Sequence, residues 1–346
     1  MIQGHGDDMY RYGEVRTNFS SNIFCHFDHS RLMEHLAKSL PLIESYPEPE
    51  PYSLERCLAE RLGVDSGNVM ATNGATEAIY LVAQTYAEAL SLIVQPTFAE
   101  YADACRLHRH TVTGIKNISE LEDNLSSNAG VGNSQKTLLW LCNPNNPTGA
   151  VTGKQTIINI AQEHPGVLFV LDESYAAYTG REVIKPHEAV ALGNVVLLSS
   201  MTKDYGIPGL RLGYAVGTEK LISRFRSHRM PWSVNAIAIE AGKYLIAHAG
   251  EYKINVSRLC SERTRVAEAL NGLGIRTWRS DTNILLAELP HGTAAALKQY
   301  LIEEYGILIR DASNFAPLSP KHFRIAMQLP EENDTLIKAI KEWITL

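Results

Sequence analysis

Apolar residues in the middle of the chain gather into short unbroken runs. Leu92–Gln95, Thr137–Cys142, Val167–Asp172, Val195–Ser200 and Leu212–Gly217 each read as a strand. Their lack of alternation predicts strands covered on both faces, as in a mostly parallel sheet. Helical stretches separate them. Thr76–Ala89 places Ile79, Val82, Ala83 and Tyr86 on one face, and Thr148–His164 and Thr218–Arg229 carry weaker forms of the same period. Strand, helix, strand in this order predicts a large doubly wound α/β domain, whose ligands sit beyond the carboxyl ends of the strands.

Beyond residue 235 the pattern changes. One long helix is expected over Ala236–Leu273, then strand-like pieces at Asn283–Leu289, Ile307–Arg310 and His322–Met327. A helix over Ala294–Tyr305 and a last amphipathic helix over Glu331–Thr345 complete a smaller α+β unit. Three regions follow: an N-terminal arm, residues 1–50, packing with the small domain; a large domain, 51–235; and an interdomain helix with the small domain, 236–346. The stretch Tyr46–Tyr52, YPEPEPY, is too rich in proline to be helical and is expected to be an extended link.

Composition removes several function classes. The chain has 346 residues, with 45% apolar and 20% charged, as in ordinary globular proteins. Thirty-two basic against 38 acidic side chains leave a charge of −6, which argues against a nucleic-acid partner. No apolar run approaches the roughly 18 residues of a membrane span, and the mean hydropathy is −0.13. The opening MIQGHGDDMYRYG is polar and acidic, unlike a secretory signal. A soluble cytoplasmic protein with no membrane partner is expected. Its five cysteines contain no CxxC pair and read as reduced thiols. Cys25-His26 with His29 could be half a zinc site, but no second ligand pair lies nearby, so no metal is expected.

The polar residues of interest collect at strand ends. Asn143-Pro144-Asn145-Asn146-Pro147-Thr148-Gly149 follows TLLWLC and must turn the chain. Asp172-Glu173-Ser174-Tyr175 follows VLFVL, and a carboxylate there needs a partner because an isolated buried charge is costly. Ser199-Ser200-Met201-Thr202-Lys203-Asp204 follows VVLL, with Arg211 eight residues beyond Lys203. Thr72-Asn73-Gly74-Ala75-Thr76-Glu77 opens a helix whose free N–H groups suit an anion. A lysine, a carboxylate, a phenol, an amide, an arginine and a helix N-terminus at one sheet edge match the needs of pyridoxal phosphate.

Taken in order, NPNNPTG, DESY and SSMTKDYGIPGLRLGY resemble the class I/II aminotransferase superfamily of fold-type I pyridoxal-phosphate enzymes, over nearly the whole chain. The resemblance implies that Lys203 holds the cofactor and later shuttles protons. It implies that Asp172 pairs with the pyridine nitrogen, that Asn146 and Tyr175 bond the ring hydroxyl, and that Phe98 stacks on the ring. Gly74, Ala75 and Thr76 would hold the phosphate with Ser200 and Arg211. Tyr46 resembles the tyrosine that reaches the neighbouring subunit's phosphate, which implies a homodimer. Arg324 would take the substrate carboxylate.

Two branches of the superfamily compete, histidinol-phosphate aminotransferase and threonine-phosphate decarboxylase. GHGDD, the segment Asn18–Ile23 and Ile309–Phe315 lean towards the decarboxylase, while Phe24 and Ala316-Pro317 depart from its pattern. Either branch implies a phosphorylated small-molecule substrate, for which Arg310 supplies a second guanidinium fork, with Asn22 and His5 as further donors. A dinucleotide-dependent dehydrogenase is disfavoured because neither Gly4-His5-Gly6 nor Gly272-Leu273-Gly274 follows a strand. A non-catalytic regulator built on the same fold would need an added DNA-binding domain for which there is no room.

Overall fold

The computed structural model describes residues 7–127 and 136–346. Seven strands form the main sheet, in the spatial order Val69–Thr72, Gly213–Val216, Val195–Ser200, Val167–Asp172, Thr137–Cys142, Leu90–Val94, Thr111–Ile115. Gly213–Val216 runs antiparallel to both neighbours, and all other pairs are parallel. Val167–Asp172 is buried along its whole length, which is why its residues form an unbroken apolar run. Register pairs Cys142 with Asp172, Asp172 with Leu198 and Ser200 with Gly213. The segments carrying Asn146, Tyr175 and Lys203 therefore leave the sheet along one edge.

The helix Gly74–Thr85 packs on Val195–Ser200 and Gly213–Val216 and begins at that same edge. Its start lies so close to the sheet that a Cβ on Gly213 would fall 2.5 Å from the Ala75 nitrogen. Only glycine allows that approach.

A second, antiparallel sheet runs Arg310–Asp311, His322–Ala326, Ile284–Glu288, Arg276–Thr277. The arm is sewn to this half of the molecule. Thr17–Asn18 pairs in parallel with Ile307–Leu308, and the Phe19 N–H donates to the Leu308 carbonyl at 2.8 Å. The Phe19 carbonyl accepts from the Ala326 N–H at 3.0 Å, and its ring is fully buried.

Two expectations need correction. The single helix over Ala236–Leu273 is two, Ala236–Ala247 and Val256–Gly272, with a 3-10 turn at Ala249–Glu251 between them. Gly250 weakens a continuous helix by about 1 kcal/mol relative to alanine, and the Asn255 side chain caps a new one by accepting from the Arg258 N–H. Ile307–Arg310 is not one strand either. Ile307–Leu308 serves the arm, whereas Arg310–Asp311 joins the second sheet. Several elements escape the hydrophobic pattern, among them the four-residue strand Val69–Thr72, the partly exposed edge strand Thr111–Ile115, and the arm helix Ser30–Ser39. The first is too short to show a period, and Gly114 and two threonines dilute the second.

Candidate active site

A cavity of about 290 Å³ lies where the ends of the main sheet face the arm and the second sheet. Lys203 lines it from the short helix Met201–Asp204, which leaves strand Val195–Ser200 directly. Burial, and then the charges of Arg324 and Arg211, push its amine down to about 8. Lost hydration and neighbouring cations both disfavour the charged form. The Lys203 carbonyl accepts from the Tyr178 hydroxyl at 2.8 Å, and the Tyr178 hydroxyl oxygen in turn accepts from the Phe24 N–H at 2.8 Å. The lysine backbone is thereby tied to the arm.

Asp172 closes its strand buried and well supplied with donors. Its Oδ2 accepts from the Tyr101 hydroxyl at 2.7 Å and its Oδ1 from the Ser174 N–H at 3.0 Å. Burial, followed by the charge of Asp172, holds the Tyr101 hydroxyl well above its ordinary value, so it stays a donor. Tyr101 stacks on Trp140 at 5.7 Å between ring centroids, and the Phe98 ring meets it edge-on at 5.8 Å.

Asn146 projects from the turn after Cys142, which is pinned from both sides. The Asn145 amide donates to the Pro96 carbonyl and to Thr148 Oγ1, each at 2.9 Å. Gly149 sits at φ +69, where a Cβ would fall 2.0 Å from Ser280 Oγ. Asn146 Oδ1 accepts from Arg324 Nη1 at 2.6 Å, Arg324 Nη2 donates to the Ser20 carbonyl, and Asn22 donates to the Tyr175 hydroxyl. Burial lowers the Arg324 guanidinium to about 10. Arg310 also lines the cavity, with Nη2 donating to Asn314 Oδ1 at 2.8 Å and its guanidinium 5.4 Å from the Phe315 ring.

Ala75, Thr76, Ser200 and Arg211 line the same cavity. Gly74 stands behind them at φ +76, where a Cβ would come 2.6 Å from Arg211 Nη2. Its lack of a side chain admits the guanidinium to the helix N-terminus, a ready anion site. Tyr46 lies apart from this cavity, 87% exposed, with its ring 5.4 Å from that of Trp232. His5 falls outside the described residues. Sequence reasoning missed Tyr101, Thr202, Ser20 and Asp7, all at the cavity. Tyr101 was within reach, one helical turn past Phe98. Ser20 acts through its carbonyl, which no pattern of side chains reveals.

The family description "Aminotransferase class I and II" matches residues 15–340. The chain belongs to that family. An L-threonine-O-3-phosphate decarboxylase from Porphyromonas gingivalis is similar in structure with a TM-score of 0.89 and 38% identity, over 95% of this chain and 100% of that one. A threonine-phosphate decarboxylase from Salmonella typhimurium is 29% identical over 90% of this chain and 86% of its own. A histidinol-phosphate aminotransferase from Desulfitobacterium hafniense is 28% identical over 90% and 87%. This aminotransferase-family chain is an enzyme of the fold-type I class, and its cofactor is pyridoxal phosphate.

The residues present fit that cofactor. Thr202 Oγ1 and Arg324 Nε are buried without a hydrogen-bond partner among the described residues, so the cavity holds polar atoms still to be satisfied. The amine of low basicity and the cradle formed in front of Gly74 border the same space. No helix among the described residues is long and apolar enough to cross a membrane.

Proposed function

We propose that this enzyme is a cytoplasmic homodimer that decarboxylates L-threonine O-3-phosphate. One observation carries the substrate reading. Arg310 and Arg324 are register partners on adjacent strands, 7% and 3% exposed. Like charges directly opposite each other destabilise a strand pair. The hydrogen bonds of both run to neutral acceptors among the described residues: Asn314 for Arg310, and Asn146 with the Ser20 carbonyl for Arg324. The charges of Asp311 and Asp8 act on Arg310, and that of Asp7 on Arg324, without forming an ion pair among the described residues. Buried charge that is not paired is costly. A substrate with two anionic ends relieves both, its carboxylate on Arg324 and its phosphate on Arg310. The likeness to the Porphyromonas gingivalis decarboxylase supports this choice.

In this reading Lys203 would hold the cofactor and would move a proton at the substrate Cα. Asp172, fixed by Tyr101, would pair with the ring nitrogen; Asn146 and Tyr175 would bond the ring hydroxyl; Phe98 would stack on the ring. Gly74, Ala75, Thr76, Ser200 and Arg211 hold the phosphate, completed by the partner subunit's Tyr46. The bound cofactor supplies a sink for the electron pair left at Cα when a bond to it breaks. Arg310 and Arg324 together set how the substrate is turned, and so which bond at Cα is the one to break.

Transamination of histidinol phosphate with 2-oxoglutarate is the second reading, supported by relatives such as that of Desulfitobacterium hafniense. The two are separated by supplying O-phospho-L-threonine alone and measuring CO2 and aminopropanol phosphate, and histidinol phosphate with 2-oxoglutarate and measuring glutamate. The expected result is CO2 without any oxo acid. Glutamate without CO2 transfers the reading to the aminotransferase. Arg310→Ala should erase most of the preference for a phosphorylated over a dephosphorylated substrate, on the order of 2–5 kcal/mol. If the native enzyme shows no such preference, Arg310 does not hold a substrate phosphate.

A further inference from the structure

Away from the cavity, four charged side chains join the link that carries Tyr46 to the main sheet. Arg226 pairs with Glu50 and with Glu55 at 2.7 Å; Arg229 pairs with the same two carboxylates, at 3.0 and 3.2 Å. Arg226 and Arg229 also donate to the carbonyls of Val69 and Ala71, at 2.6 and 2.9 Å, while Glu55 accepts from the Ala71 N–H at 3.0 Å. The side chains of Glu55 and Arg229 are almost wholly buried, whereas Glu50 sits at the rim, a third exposed. Glu55 alone can therefore hold both arginines to the strand Val69–Thr72. Glu50 adds the connection to the link.

The other side of the link is held as well. The Pro49 carbonyl accepts from the Trp232 N–H at 2.9 Å. Trp232 takes φ +60, a left-handed backbone that bulky residues avoid. Such strain persists only where the surroundings over-determine it. Clamped between Trp232 and the two arginines, the link presents Tyr46 outward, its ring resting on Trp232. A buried ion cluster adds little stability over apolar packing, so its value here lies in fixing geometry.

We propose that Glu50 is a positioning residue that aims Tyr46 and so sets the cofactor affinity of the partner subunit rather than of its own. The proposal rests on the reading that Tyr46 completes the phosphate site of a second copy. The test uses differently tagged, co-expressed heterodimers with Lys203→Ala in one protomer, so that only one site gives the visible band of lysine-bound cofactor. Cofactor affinity is read from that band. Glu50→Gln placed in the Lys203→Ala protomer should weaken the remaining site about tenfold, the scale of one charge-assisted hydrogen bond. Placed in the protomer that keeps Lys203, it should leave the affinity native. A melting curve checks the fold of each pair, and Glu50→Asp, expected to act in the same direction, replaces any Glu50→Gln form that does not assemble.

Tyr46→Phe in the same two arrangements tests the underlying reading by itself. A monomeric protein, or a Tyr46→Phe effect confined to its own subunit, overturns that reading and the proposal with it. If Tyr46→Phe acts across the dimer while Glu50→Gln weakens its own subunit's site, both arrangements equally, or neither, then the proposal alone falls.

Discussion

The two ends of the cavity are built from different materials. At the cofactor end, Asp172 and Ser200 are the last residues of neighbouring buried strands, and the helix start at Gly74 is pressed onto the same sheet. Each group follows its strand by a few residues, so the sheet register sets their relation. At the substrate end the parts come from far apart in sequence. Arg324 meets the Ser20 carbonyl across 304 residues, and Asn22 meets Tyr175 across 153. One end is fixed by a rigid sheet, the other by an arm laid over a second sheet. Chemistry common to a cofactor class is expected at the first, and substrate choice at the second.

The largest effect should come from Lys203, where the cofactor end has no substitute. Lys203→Ala should abolish the visible band of lysine-bound cofactor and cost at least about 10³-fold in turnover, the scale of a lost proton-transfer group. Spectroscopy and a steady-state assay check it. A band that survives in this variant, with borohydride trapping at another lysine, would relocate the site.

Arg324→Gln tests whether the ends are separable. Its guanidinium is buried and bonded to Asn146, and takes the substrate carboxylate in the proposed function. The loss should fall on kcat/KM, on the order of 2–5 kcal/mol for one partner of a buried charge pair, with cofactor affinity nearly native. An equal collapse of cofactor affinity would show that Asn146 depends on Arg324 for its position, and that the division between the ends is false.

The same contrast explains what could be read in advance. Thr137–Cys142, Val167–Asp172 and Val195–Ser200 were legible to the residue because strands buried on both faces write themselves as apolar runs. The polar residues at their ends or just past them, Asn146, Asp172, Tyr175 and Lys203, could be placed along one sheet edge for the same reason. The strand Val69–Thr72 was not, since four residues carry no period. Nor was the cross-strand pairing of Arg310 with Arg324, because register between strands this far apart follows from tertiary packing. The break at Gly250 was visible as a glycine, yet one glycine in a long periodic stretch does not by itself end a helix.

The smallest effect joins the two ends through one proton. Lys203 attacks a carbonyl only when uncharged, and its amine titrates near 8 in the folded chain against an ordinary 10.5. Burial is the first cause, followed by the charges of Arg324 and Arg211, with Asp7 and Asp172 pulling the other way. Loading of cofactor-free protein should therefore rise about tenfold per pH unit up to near pH 8 and then level, since each unit below the midpoint removes nine-tenths of the neutral amine. Stability follows the same sign. Between about 8 and 10.5 the unfolded chain keeps a proton that the folded chain has released, so the cofactor-free protein gains stability as pH rises through that window. Below it, the cost of a buried charge is present in full. Arg324→Gln removes one repelling cation, which should move the loading midpoint upward by a fraction of a unit, towards the ordinary value. Stopped-flow absorbance across pH 6 to 11 measures both midpoints. A native midpoint near 10.5 would mean that the lysine is solvated, and a midpoint unmoved in Arg324→Gln would mean that the arginine's field does not reach it.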